Sequence, residues 1–171
     1  MKKILLVGYM ASGKTTIALL LSKAAGLTYM DLDEVIENKS EKKIADIFAE
    51  GGEIAFRKTE HESLKEILNN DKGFVLALGG GTPCYAGNHE FLKQEDVVSV
   101  YLKASVPELA KRLAVKEHKR PLLQNVEPAD MEDFIAKHLF DRNYYYHQAK
   151  HVVNVDGKMP EAIVNEILSL F

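Results

Sequence analysis

Eight consecutive residues constrain this chain more than any other feature: Gly8-Tyr9-Met10-Ala11-Ser12-Gly13-Lys14-Thr15, the pattern G-x-x-x-x-G-K-[ST]. Residues 3–7 before it, Lys3 followed by the continuous apolar run Ile4-Leu5-Leu6-Val7, are of the kind expected for a strand buried on both faces. Residues 15–25 after it have helical patterning, with Gly26 placed to end the helix. A glycine-bearing turn between a strand and a helix lets successive backbone N–H groups face an anion at the positive end of the helix dipole. The segment is therefore expected to bind a nucleoside triphosphate, Lys14 reaching the β- and γ-phosphates and the Thr15 hydroxyl ligating Mg²⁺.

The rest of the chain alternates in the same way. Strands are predicted at 27–32, 74–78, 97–102 and 151–155. Helices are predicted as two short pieces within 35–49 broken near Ser40, then at 53–69, from a Ser105 cap to about 116, at 131–149 and at 160–170. Five strands separated by helices imply an α/β three-layer fold around a parallel sheet, with ligands beyond the carboxyl ends of the strands. The 171 residues read as one domain, with a charged, poorly periodic segment at 117–127 as a lid.

Composition narrows the function classes. With 22 basic against 25 acidic side chains, the net charge of -3 supplies no global field for nucleic acid. The one cysteine, Cys84, excludes an internal disulfide, fits a reducing compartment and reads as inert. The apolar run after Lys3 stops at Gly8, too short for a secretion signal, and no stretch approaches the roughly 20 residues needed to span a bilayer. A cytoplasmic location with no membrane partner is expected. The histidines lack metal-ligand spacing with the cysteine, so no zinc site is assigned.

Further candidates lie where the strands end. Asp31 and Asp33, two apart at the end of a predicted strand, would point to one face and address one site; the competing reading is a solvated acidic turn opening a helix. Gly79-Gly80-Gly81 follows a buried strand, as suits close approach of a ligand to the backbone, or a flexible turn. Arg57, Arg120 and Arg142 each offer a planar fork for carboxylate or phosphate, although singly each reads as a surface charge sooner than as a ligand contact. Arg120, before Pro121 in the charged segment, suits a lid cation. Tyr144-Tyr145-Tyr146 reads as helix packing.

Taken together, the phosphate loop, Asp31-x-Asp33, Phe56-Arg57, the triple glycine, Arg120-Pro121-Leu122 and Arg142 resemble the shikimate kinase family across essentially the whole chain. The resemblance implies a P-loop fold of nucleoside-monophosphate-kinase type and transfer of the ATP γ-phosphoryl group to the 3-hydroxyl of shikimate. It implies ATP contacts from Ala11, Ser12, Gly13, Lys14, Thr15, Thr16, Arg112 and Arg120, with Arg112 near adenine. It implies shikimate contacts from Asp33, Arg57, Gly79, Gly80, Gly81 and Arg142, the two arginines meeting the carboxylate. Mg²⁺ would be held by Thr15 and, through water, by Asp31; Lys14, Asp33 and Arg120 would carry catalysis, in a monomer. The chain departs from the family's usual pattern at Ala11, where glycine is common, and in Thr82-Pro83-Cys84-Tyr85. Other kinases of this fold, acting on gluconate or a nucleoside monophosphate, and a non-catalytic nucleotide switch are the competing readings.

Overall fold

At the centre of the sheet lies β1 (Lys3–Val7), every residue of which is buried. Parallel neighbours flank it, β3 (Phe74–Ala77) on one side and β4 (Val97–Lys103) on the other. Outside them are β2 (Thr28–Asp31) and β5 (His151–Asn154), giving the order β2-β3-β1-β4-β5 with all pairs parallel. The computed structural model describes residues 2–115 and 121–171. The expected five-stranded parallel α/β architecture is thus present. No helix among the described residues is long and apolar enough to cross a membrane.

Among the described residues six helices connect and cover the strands: α1 (Lys14–Ala25), α2 (Leu32–Ser40), α3 (Ile44–Leu68), α4 (Val106–Val115), α5 (Met131–Tyr146) and α6 (Pro160–Leu168). Their ends follow local chemistry. α1 stops at Gly26, which takes a left-handed conformation (φ 65°) while the Leu27 amide donates back to the Ser22 carbonyl at 2.9 Å. α4 begins where the Ser105 hydroxyl accepts from the Glu108 amide at 3.3 Å.

Two sequence expectations need correction. The second strand was expected to run through Leu32, with Asp31 and Asp33 on one strand face. It ends at Asp31, whose carboxylate caps α2 by accepting from the Asp33 and Glu34 amides at 2.9 and 3.4 Å. An Asp cap with Glu three residues on is a helix-start signal, and it outweighs the strand propensity of the preceding run. The helical pieces expected within 35–49, broken near Ser40, and at 53–69 are present, the second and third meeting at a kink. α2 ends at Ser40, and α3 runs from Ile44 to Leu68 with only Gly52 non-helical (φ 72°, ψ -174°). Finally, short 3-10 turns at Thr82–Cys84, Asn88–Lys93, Pro121–Leu123 and Pro128–Asp130 were not anticipated. Of the expected lid at 117–127, residues 117–120, Arg120 among them, lie outside the described residues.

The connection after β3 contains a strained position. The Asn88 amide donates to the Tyr85 carbonyl at 3.0 Å, closing a turn whose central residues, Ala86 (φ 52°) and Gly87 (φ 69°), are both left-handed. That is type I′ geometry, which costs a Cβ-bearing residue about 1–2 kcal/mol. Ala86 is exposed and has no buried methyl contacts to lose. Ala86→Gly is therefore expected to stabilise by about 1 kcal/mol, raising Tm by about 2–4 °C in a thermal melt. An unchanged or lower Tm would show that the turn relaxes without strain.

Candidate active site

The loop between β1 and α1 closes on itself. A Cβ at Gly8 would lie 2.7 Å from Ser12 Oγ and 2.8 Å from the Leu102 carbonyl, so only glycine lets the loop pass over β4. Ala11 stands at φ 65°, and its carbonyl accepts from Arg112 Nη1 of α4 at 3.1 Å. Arg112 Nε is held in turn by Glu108 at 2.9 Å. The resemblance puts Arg112 near adenine; in the structure its guanidinium braces the phosphate loop. Lys14 Nζ donates to the Gly8 and Tyr9 carbonyls at 2.7 and 3.0 Å, lying over the loop it belongs to.

Beside the loop, the end of β2 delivers the acidic pair. Although Asp33 sits in α2 rather than on a strand, both carboxylates still line one cleft of about 150 Å³ with Lys14, Thr15, Thr16 and Gly80. Asp31 divides its labour: Oδ1 caps α2, while Oδ2 accepts from the Thr15 hydroxyl at 3.4 Å. A hydroxyl and a carboxylate oxygen at the mouth of a phosphate loop suit Mg²⁺, a hard cation that takes one or two protein oxygens and fills its shell with water and phosphate. Burial first, and then the negative Asp31 and Glu60, push the Asp33 carboxyl up to about 6, against the opposing pull of Lys14.

The third wall is the glycine run. A Cβ on Gly81 would stand 2.7 Å from Arg57 Nη2, and one on Gly80 would stand 3.1 Å from Arg142 Nη1. The absence of side chains here makes room for two guanidinium groups arriving from different helices, α3 and α5. Arg57 Nη1 donates to Glu60 at 2.9 Å, and Glu60, only 1% exposed, also accepts from the Thr82 hydroxyl at 2.8 Å. On the other side, the fully buried Tyr146 donates to the Gly80 carbonyl at 2.6 Å, with Arg142 Nη1 3.5 Å from its oxygen. Burial pushes the Cys84 thiol up despite the neighbouring Arg142 and Arg57, which keeps it protonated.

Glu60, Thr82 and Tyr146 were missed from sequence. Glu60 is three residues from Arg57 and Tyr146 four from Arg142, so both shared a helix face with a candidate. Tyr146 was read as packing; Tyr144 in the same triplet is exposed, whereas Tyr146 reaches the site. Among the predicted residues, the structure brings together Ala11, Gly13, Lys14, Thr15, Thr16, Asp31, Asp33, Gly79 and Gly80 around one cleft, with Arg57 and Arg142 against the glycine run. Ser12 is buried beneath the loop, and its Oγ has no hydrogen-bond partner among the described residues.

This combination of phosphate loop, acidic pair and paired arginines has close counterparts. The family model described as shikimate kinase matches residues 10–171. The chain belongs to the shikimate kinase family. A shikimate kinase of Flavobacterium psychrophilum is 53% identical over 167 residues, covering 98% of this chain and 97% of the relative. A solved shikimate kinase of Bacteroides thetaiotaomicron superposes with a TM-score of 0.89 at 32% identity, over 99% of this chain and 97% of that one. A shikimate kinase of Acinetobacter baumannii, solved in complex with shikimate, gives a TM-score of 0.86 at 33% identity, over 99% and 92% of the two chains. As a shikimate kinase, this chain is an ATP-dependent small-molecule kinase.

Proposed function

We propose that this cleft transfers the γ-phosphoryl group of ATP to the 3-hydroxyl of shikimate, giving shikimate 3-phosphate and ADP. The observation that carries the reading is that Arg57 lies against Gly81 and Arg142 against Gly80, the glycine that lines the cleft with Lys14 and Asp33. Two planar cations suit one carboxylate, and the adjoining acidic group suits a hydroxyl.

In this reading the phosphate loop and the α1 N-terminus hold the triphosphate, and Lys14 leaves its own loop carbonyls for the β- and γ-phosphate oxygens. Asp33 accepts a hydrogen bond from the 3-hydroxyl and orients its oxygen in line with the γ-phosphorus. The new O–P bond forms as the bond to the β-phosphate bridge breaks; ADP leaves with that electron pair and the hydroxyl proton passes to the Asp33 carboxylate. The Thr15 hydroxyl and, through water, Asp31 would hold Mg²⁺, which would supply charge to offset the phosphates. Arg120, by position in the lid segment, adds a second cation over the transferring group. A monomer in the cytoplasm goes with this reading, and light scattering checks the monomer.

ADP release from MgATP, measured with shikimate, gluconate or AMP, tests the substrate. Shikimate alone is expected to drive turnover; equal rates with gluconate would overturn the assignment. Arg57→Ala is expected to raise the KM for shikimate about tenfold or more, from the loss of a charge-assisted bond, with the KM for MgATP unchanged. Parallel loss of ATP affinity would remove Arg57 from the acceptor side.

A further inference from the structure

Arg57 is held from more than one direction. Its Nη1 bonds a single oxygen of Glu60, an edge contact that leaves the guanidinium plane able to pivot. Among the described residues its buried Nε has no hydrogen-bond partner, with Glu53 Oε1 3.8 Å away. The plane is defined by a face contact: the Arg57 Cζ lies 4.0 Å from the centroid of the Tyr85 ring, with the Phe56 ring at 5.1 Å. Among the described residues Nη2 donates no hydrogen bond, and it lies against Gly81. A planar cation fixed by one edge and one face has a single orientation, and a carboxylate can then be met without further ordering.

Tyr85 is itself anchored to the helix that carries Arg57. The Tyr85 carbonyl closes the left-handed turn with the Asn88 amide at 3.0 Å. The buried Asn88 side chain donates to the Thr82 carbonyl at 3.0 Å and pairs with His61 Nδ1 of α3 at 2.6 Å. Arg57, Glu60 and His61 thus all lie on α3, so the ring and the cation share one frame. Burial first, and then the neighbouring Glu53 carboxylate, push the Tyr85 phenol up.

We propose that Tyr85 is a positioning residue for acceptor binding: by stacking on the Arg57 guanidinium it holds that cation against Gly81 with Nη2 reserved for the substrate carboxylate. The inference rests on Arg57 as the partner of that carboxylate.

Steady-state kinetics of Tyr85→Ala, Tyr85→Phe and Arg57→Ala test it, with the neutral amide of shikimate as a competitive inhibitor. Tyr85→Ala is expected to raise the KM for shikimate about fivefold, with kcat and the KM for MgATP within about twofold of the parent. Tyr85→Phe keeps the aromatic face and is expected to restore the parent KM. The Ki of the neutral amide is expected to stay unchanged in Tyr85→Ala, because no carboxylate is there to meet Arg57. Should the alanine variant not fold, Tyr85→Leu supplies bulk without a π face and reads the same effect. A parent-like KM in Tyr85→Ala, a phenylalanine variant as impaired as alanine, or a parallel rise in the amide Ki would each overturn the proposal while leaving Arg57 in place. A parent-like KM in Arg57→Ala would instead overturn the Arg57 reading on which it rests.

Discussion

Lys14→Ala is expected to lower kcat by about 10³-fold with the fold intact. The ammonium lies over the phosphate loop, 2.7 and 3.0 Å from two of its carbonyls, at the first residue of α1. A donor aimed at charge that develops on the transferring group is worth about 10²–10³ in rate even when it is an uncharged amide. A full cation in a partly buried cleft stands at the upper end of that range or above it. Lys14→Arg is expected to rescue little, because a longer planar fork cannot replace a compact point charge inside a closed loop. Single-turnover phosphoryl transfer, with a thermal melt as the folding control, checks both variants. Retention of more than about a tenth of the parent rate in Lys14→Ala would remove Lys14 from the transfer step.

Asp33→Asn carries the second large effect, and it acts on activity and stability in opposite directions. With the Asp33 carboxyl raised to about 6, the folded protein holds a proton that the unfolded chain releases near the ordinary aspartate value of 3.8. Between those values the native state binds more protons, so stability falls as pH rises through the window and the loss is complete above it. At neutral pH the ionised carboxylate therefore costs on the order of 1–3 kcal/mol, and Asp33→Asn is expected to raise Tm. Activity follows the other sign: the carboxylate must be ionised to accept the hydroxyl proton. The kcat/KM for shikimate is expected to fall with an acidic limb near pH 6, two units above that of an unperturbed aspartate. In Asp33→Asn the rate is expected to drop by about 10²–10⁴-fold and the limb to vanish. A limb near 4, or an asparagine variant less stable at neutral pH, would contradict this account of Asp33.

Local signals carried much of the fold and part of the site. The runs at β1 and β3 are apolar without alternation because both faces of those strands are covered, and that is visible in any short window. The phosphate loop is contiguous, and every residue needed to recognise it lies within eight positions. Asp31 shows how a local signal can be misweighted. Its spacing from Asp33 suggested a shared strand face, while its spacing from Glu34 held the helix-cap pattern that the chain obeys. The pair still lines the cleft, because a helix start at the end of β2 faces the same side of the sheet as the strand end would.

The acceptor side was legible only in fragments. Arg57, the glycine run and Arg142 could each be named, but singly each had a bland alternative. What turns them into a site is the sheet order β2-β3-β1-β4-β5, which sets β3 beside β1 and brings the turn after β3 against α3 and α5. Glu60 meets Thr82 across 22 positions, and Tyr146 meets Gly80 across 66. No period or motif encodes such pairs, since they depend on how elements far apart in the chain pack. The same holds for the stack of Tyr85 on Arg57 and for the raised Asp33 carboxyl, which owes its value first to burial, then to its neighbour Asp31 and then to the distant Glu60. Backbone propensity and contiguous motifs act within a turn or two of the chain, so the strands, most helices and the nucleotide loop were readable in one dimension. Desolvation, stacking and paired charges act through space, so the acceptor pocket came into being only when the sheet closed.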